Sequence, residues 1–318
     1  MSSAQAKIFD NTRRISSFAV ASVVVLSLVL GSFIDNSSIT WQVVIALVAL
    51  AVGIPHGALD HLVTLPRASF SRMAIFILVY IAIAAIAVWA ILTWNVIGFI
   101  GVVIMSALHF GIGDAAFITE GDRASNSNQL TSIAQLLYAL SAGSLPVIIP
   151  LTNERSTSAL SAVNKDLVNW HGGLDSELMA AVLFITSLAT LVLAFSKRWR
   201  DIADLLILSA LALLTPPLVA FGAYFGMWHA MRHTARLTLN LKSSQKFISE
   251  NRPARAFCQA VIPGLPALVG TFIVSLLIGI QTPGKLSDEY LWLSLVVVWA
   301  LTVPHMMVTA KLDKAALR

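Results

Sequence analysis

The chain has 318 residues, of which 57% are hydrophobic and only 12% are charged, and its mean hydropathy is +0.82. Because water must wet the surface of a soluble domain, so small a charged fraction excludes an ordinary soluble protein and favours a polytopic membrane protein. A single cysteine, Cys258, excludes a disulfide framework and any metal or iron–sulfur site built from cysteines. The net charge of +5 indicates basic residues gathered on one side of a membrane rather than a nucleic-acid partner.

Apolar segments long enough to cross a bilayer, about 17 to 25 residues each, follow one another along the chain. They cover approximately 16–34, 41–64, 70–93, 96–118, 130–149, 177–195, 200–215, 217–240, 258–280 and 288–311. The sequence therefore predicts a single all-α domain of about ten spans, with eight or nine left open by the short seventh segment. Within this multi-pass domain of the cell (inner) membrane we expect an N-terminal anchor segment (1–40), a catalytic bundle (41–312) and an outer loop (150–176).

The basic residues set the orientation of these spans. If the N-terminus is cytoplasmic, 18 of the 21 Lys and Arg residues lie on or near the cytoplasmic side, and only Arg155, Lys165 and Lys285 lie outside. Since cytoplasmic loops carry an excess of Lys and Arg, we expect both termini in the cytoplasm. The spans that begin near 41, 96, 217 and 288 then all run from outside to inside.

Each of these four inward-running spans carries histidine. His229 and His233 are four residues apart, so they share one helix face, one turn apart. They lie 12 and 16 residues from the outer end of their span, and His56, His109 and His305 lie 15, 13 and 17 residues from theirs. Ionisable side chains at membrane depth are costly and indicate function. Their common depth favours ligands of one ion over independent packing histidines.

Alternatives remain for the individual residues. A lone membrane histidine such as His109 is more often a packing residue, and a His-x3-His pair could also hold a haem or serve a proton path. Asp60, four residues after His56, could orient that imidazole or be an ordinary polar residue near the end of the span. Asp114, five residues after His109, is a candidate for the same orienting role, and either carboxylate is an alternative ligand of the metal. His305 could ligate or support another ligand, and the supporting role is favoured because four imidazoles already suffice.

Neutral imidazoles suit zinc, copper, iron and nickel, whereas the carboxylate and water ligands preferred by magnesium and calcium are missing at this depth. A structural zinc would close the site, while four nitrogens around Fe(2+) leave positions open for O2. Aromatic and methionine residues near the histidines are usually helix packing, but beside a metal they could line a tunnel for a flat, apolar substrate. These tunnel candidates are Met105, Phe110, Tyr224, Phe225, Trp228 and Met306.

Four motifs together closely resemble the Brp/Blh (bacteriorhodopsin-related-protein-like) family of microbial β-carotene 15,15′-dioxygenases. They are Pro55-His-Gly-Ala-Leu-Asp-His61, His109-Phe-Gly-Ile-Gly-Asp114, Trp228-His-Ala-Met-Arg-His233 and Pro304-His305. The resemblance runs from about the second span to the C-terminus. It implies an integral membrane enzyme that cleaves the central double bond of β-carotene with O2 into two all-trans retinal molecules, passed to a microbial rhodopsin. It also implies iron ligation by His56, His109, His229 and His233.

Two other classes of protein compete with this interpretation. A transporter or proton-relay protein would carry acids alternating with histidines through both membrane halves, and the outer half here is nearly devoid of them. A membrane di-iron desaturase or hydroxylase uses a larger set of histidines in several boxes, whereas this chain has 7 histidines and a single His-x3-His pair.

Overall fold

A computed structural model describes residues 3–33, 39–65, 69–154, 156–270, 273 and 288–317. In these ranges the ordered elements are helices and there is no β-strand, so the predicted all-α class is confirmed. Six helices in this part of the chain are long and apolar enough to cross a membrane. The chain is therefore built as a membrane protein.

The helices are numbered in chain order. They are α1 (Ser3–Phe33), α2 (Ile39–Gly57), α3 (Asp60–Thr64), α4 (Phe70–Thr93), α5 (Asn95–Ser125), α6 (Ser132–Ser144), α7 (Ile148–Thr152), α8 (Ser156–Val163), α9 (Asp175–Phe195), α10 (Trp199–Leu214), α11 (Pro217–Ala223), α12 (Met231–Thr238), α13 (Lys242–Ser249), α14 (Pro253–Val261) and α15 (Asp288–Ala316). A π-helix, Tyr224–Ala230, joins α11 to α12 without a break.

The predicted spans agree with these helices to different extents. The span predicted at 70–93 coincides with α4, and the one at 177–195 begins two residues after the start of α9. The segments at 130–149 and 200–215 contain shorter helices, of 13 and 16 residues. The segment at 258–280 lies partly outside the described residues. The total of about ten spans and the cytoplasmic location of both termini stay predictions.

Close helix contacts near the histidines depend on small residues. A Cβ added to Gly111 of α5 would overlap the backbone of Ala139 in α6, and one added to Gly226 of the π-helix would overlap the backbone of Ala49 in α2. Membrane helices commonly approach one another through small residues in this way. The glycines therefore bring α5 and α6, and the π-helix and α2, into backbone contact.

The N-terminal helix α1 is tied into the bundle through charged and hydroxyl groups. Arg13 donates to Asp201 at 2.5 Å and to Asp204 at 2.9 Å, both on α10. Arg232 of α12 donates to the Ser16 hydroxyl at 3.1 Å and to Asp204 at 3.1 Å. The predicted anchor segment thus also packs against α12, the helix that carries His233.

Replacing Gly111 with alanine should destabilise the fold, because the new methyl group would force α5 and α6 apart. Overpacking of this kind costs about 1–3 kcal/mol, and the thermal unfolding midpoint of the purified protein in detergent should fall accordingly. The matched control is Gly101→Ala on the same helix, where no atom lies within 4 Å of the added Cβ. Equal midpoints for the two variants would contradict the proposed contact.

Candidate functional site

His229 and His233 lie where the helix changes its winding. The π-helix Tyr224–Ala230 contains His229, and regular α-helix resumes at Met231. π-helical turns are rare and frequently occur at functional sites. The two imidazoles are stacked, with ring centroids 6.0 Å apart and ring planes 14° apart. They share one face, as their four-residue spacing predicts.

Three further histidines from three other helices meet this pair. The His56 ring of α2 lies 5.6 Å from His229 and 5.5 Å from His233 between centroids, and His109 of α5 lies 4.9 Å from His229. The His305 ring of α15 lies 5.2 Å from both His56 and His109 and 5.4 Å from His233. Each of the five residues is at most 5% exposed. We call these five residues the histidine cluster.

The ring nitrogens of the histidine cluster fit a transition-metal ion in their chemistry. Among the described residues, six of these nitrogens are buried without a hydrogen-bond partner: Nε2 of His109 and His305, and both nitrogens of His229 and His233. Buried polar atoms are almost always paired, and an ion is one accepted explanation for an exception. Imidazole nitrogen is a suitable ligand for zinc, copper, iron and nickel.

The imidazole rings of the histidine cluster lie close together, but their side-chain geometry does not form a metal site. In the described part of the chain, no group of three or more His, Cys, Asp or Glu side chains meets the geometry of a metal site. Binding of an ion would therefore require the imidazoles to turn about their side-chain torsions. A metal site is therefore supported by the chemistry of the imidazole nitrogens and not by their present orientation.

Two cluster histidines have a second contact that fixes the ring. His56 Nδ1 is hydrogen-bonded to the carbonyl oxygen of Gly53. His305 Nδ1 lies 3.0 and 2.9 Å from the two carboxylate oxygens of Asp60. Asp60 therefore contacts the His305 imidazole, whereas the sequence had left open that it would orient His56. Helix α2 ends at Gly57 and Asp60 begins α3, so the four-residue spacing no longer places Asp60 beside His56.

Asp114 has partners other than the predicted imidazole. Its Oδ2 accepts hydrogen bonds from the Tyr224 hydroxyl at 3.2 Å and from Trp228 Nε1 at 2.8 Å. The guanidinium carbon of Arg232 lies 3.5 Å from the centroid of the Trp228 ring. Asp114 therefore ties the π-helix to α5 instead of orienting His109. Tyr224 and Trp228, two of the tunnel candidates, are held in the bundle core by this carboxylate.

The remaining tunnel candidates lie closer to the rings or nearer the surface. The Phe110 ring lies 4.6 Å from His229, and the Phe225 ring lies 5.4 Å from His56, between centroids. Met105 and Met306 are half-buried. The two phenylalanines give the histidine cluster an aromatic wall, and the tunnel itself stays a prediction.

The amino-acid sequence was compared with models of known protein families and with known proteins. The sequence model for the family described as "Beta-carotene 15,15'-dioxygenase" matches residues 47–313, a range that includes the whole histidine cluster. The chain belongs to this family. The "Probable beta-carotene 15,15'-dioxygenase Blh" of Halobacterium salinarum is 26% identical over 287 residues, which cover 84% of this chain and 82% of that protein. No solved structure matches the chain. The resemblance found in the motifs is thus confirmed at the level of the family.

This dioxygenase-family chain also contains an ion triad around a buried arginine, which the sequence pattern did not predict. Arg236 of α12 donates to Glu120 of α5 at 3.0 Å and to Asp313 of α15 at 2.6 Å. Arg236 is 3% exposed. Each of these three helices also carries a member of the histidine cluster. The signal in the sequence was an arginine inside an apolar segment, since such charges need partners, but the pattern did not say which acids would supply them.

Replacing Arg236 with glutamine should destabilise the protein by about 3–5 kcal/mol, because Asp313 and Glu120 would keep charges without their partner. The unfolding midpoint in detergent measures the effect. Arg255→Gln is the matched control, since Arg255 is exposed. A midpoint for Arg236→Gln equal to that of the control would show that the triad does not hold the three helices.

Proposed function

We propose that this protein is a membrane-embedded, iron(II)-dependent β-carotene 15,15′-dioxygenase. It would cleave the central double bond of β-carotene with O2 and release two molecules of all-trans retinal. The observation that carries the proposal is the histidine cluster, in which imidazoles from separate helices meet in an apolar bundle and leave six described ring nitrogens unpaired. Membership of the family supplies the substrate class.

Four residues would hold the iron: His56, His109, His229 and His233. Their nitrogens are neutral donors of the kind that iron accepts, and they come from α2, α5, the π-helix and α12. When bound, the ion would supply the oxygen chemistry that protein side chains lack. No general acid, general base or nucleophile needs to be assigned to a side chain.

The chain itself would position the substrate and exclude water from the site. Side chains at most 5% exposed keep water away from the cluster, and the rings of Phe110 and Phe225 offer flat apolar surfaces beside it. Holding a reacting bond in a productive geometry can lower a barrier substantially without acid or base catalysis. We expect these rings to place the centre of the polyene next to the cluster.

The lipid bilayer is the proposed surrounding and the route of substrate entry. Outward-facing side chains on the long helices are large and apolar; Leu78 of α4 is 66% exposed and Phe184 of α9 is 70% exposed. Such surface is stable against lipid and costly against water. Because β-carotene itself dissolves in lipid, we expect it to enter sideways from the cell (inner) membrane. The retinal product would pass to a microbial rhodopsin.

Expression in cells that accumulate β-carotene should bleach their orange colour and yield retinal, measured by extraction and chromatography. His56→Ala should lose both retinal formation and bound iron, the latter measured by elemental analysis of the purified protein, because one of the four ligands is gone. His61→Ala is the matched control, since His61 lies nearby in sequence but outside the histidine cluster.

The same experiment separates the proposal from its competitors. Apocarotenals from off-centre cleavage as the main product would contradict central cleavage. Full activity of His56→Ala would remove His56 from the site. Unchanged β-carotene together with histidine-dependent proton flux in vesicles would favour the proton-relay class instead.

A further inference from the structure

Within the histidine cluster, His305 is the member whose Nδ1 lies against a carboxylate. Its Nδ1 lies 3.0 and 2.9 Å from the carboxylate oxygens of Asp60, while its Nε2 is buried without a partner. His305 is 5% exposed. A histidine that binds a metal through one nitrogen typically gives the other to a carboxylate, which fixes the tautomer and the ring orientation.

The carboxylate of Asp60 is itself held from another helix. The Tyr80 hydroxyl of α4 donates to Asp60 Oδ2 at 3.2 Å, and Asp60 is 3% exposed. Because an ionised carboxylate only accepts hydrogen bonds, the contact fits the His305 tautomer that carries its hydrogen on Nδ1. The lone pair is then on Nε2, the nitrogen that has no protein partner.

The His305 ring lies as close to the other imidazoles as they lie to one another. Its centroid lies 5.2 Å from His56, 5.2 Å from His109 and 5.4 Å from His233. Contacts among the four proposed iron ligands span the same range, from 4.9 Å for His109 and His229 to 6.0 Å for His229 and His233.

These contacts reverse the preference drawn from the sequence, which gave His305 a supporting role. A supporting imidazole would direct one nitrogen at the ring nitrogen of the ligand that it orients. His305 instead forms a hydrogen bond with Asp60 through Nδ1, and its Nε2 has no protein partner.

We propose that His305 is a fifth imidazole ligand of the ion held by the histidine cluster, and that Asp60 and Tyr80 are positioning residues for its ring. The inference depends on one part of the proposed function, namely that a transition metal binds at the histidine cluster. It adds that five imidazoles from five helical elements hold the ion, which leaves one coordination position fewer than four would.

The test uses the full-length protein, purified in detergent, stripped of metal and titrated with Co(2+) alone. Visible absorption reports both the affinity and the coordination number of the cobalt site, independently of any turnover. His305→Ala, Asp60→Asn and Tyr80→Phe are compared with the control His61→Ala. Loss of a hydrogen bond to a metal-binding histidine typically weakens metal affinity about 10–100-fold.

We expect Asp60→Asn to weaken cobalt binding within that range, Tyr80→Phe to weaken it less, and His305→Ala to weaken it at least as much as Asp60→Asn. His305→Ala should also change the intensity of the cobalt bands, and free imidazole should restore them. His61→Ala should match the wild type. A purely structural role for His305 would move the unfolding midpoint without changing the spectrum.

The outcomes separate this inference from the proposed function. If the wild type binds cobalt, and retinal formation requires iron, while His305→Ala keeps the wild-type affinity and spectrum, the fifth ligand is refuted and the function stands. If the wild type binds no transition metal, both proposals fall. Should His305→Ala fail to fold, Tyr80→Phe decides: weaker cobalt binding supports the assignment, and unchanged binding overturns it.

Discussion

The burial of imidazoles against one another in an apolar bundle is the constraint on which the rest of this structure depends. A buried donor or acceptor without a partner costs about 1–3 kcal/mol, and six ring nitrogens of the described residues are in this condition. An apolar core built from leucine would avoid that cost. An ion bound between the rings would give these nitrogens partners and remove that cost.

Packing around the histidine cluster holds the helices that carry it. The backbone contact of Gly226 with Ala49 fixes the π-helix against α2, and the hydrogen bond from Trp228 to Asp114 fixes it against α5. The buried Arg236 joins α5, α12 and α15 through ion pairs with Glu120 and Asp313. Sites that must place several side chains accurately need such rigid support. The contacts outside the cluster thus explain how imidazoles from several helices can share one small volume.

The character of the surroundings agrees with the chemistry of the family. Carotenes are long, apolar molecules without groups for acid or base catalysis to act on, and the walls nearest the cluster are the rings of Phe110 and Phe225. Several charged residues of the bundle form ion pairs, such as Arg13 with Asp201 and Asp204. This division suits positioning of a polyene better than a path of alternating proton donors.

The sequence by itself determined what depends on local pattern: the all-α class, the common face of His229 and His233, and the motifs that placed the chain in its family. Hydropathy and four-residue spacing are properties of a single helix. Only the tertiary structure decided that Asp60 meets His305, 245 positions away, and that Arg236 meets Glu120 and Asp313. Those contacts depend on where each helix ends and how helices pack, which no periodicity along one segment records.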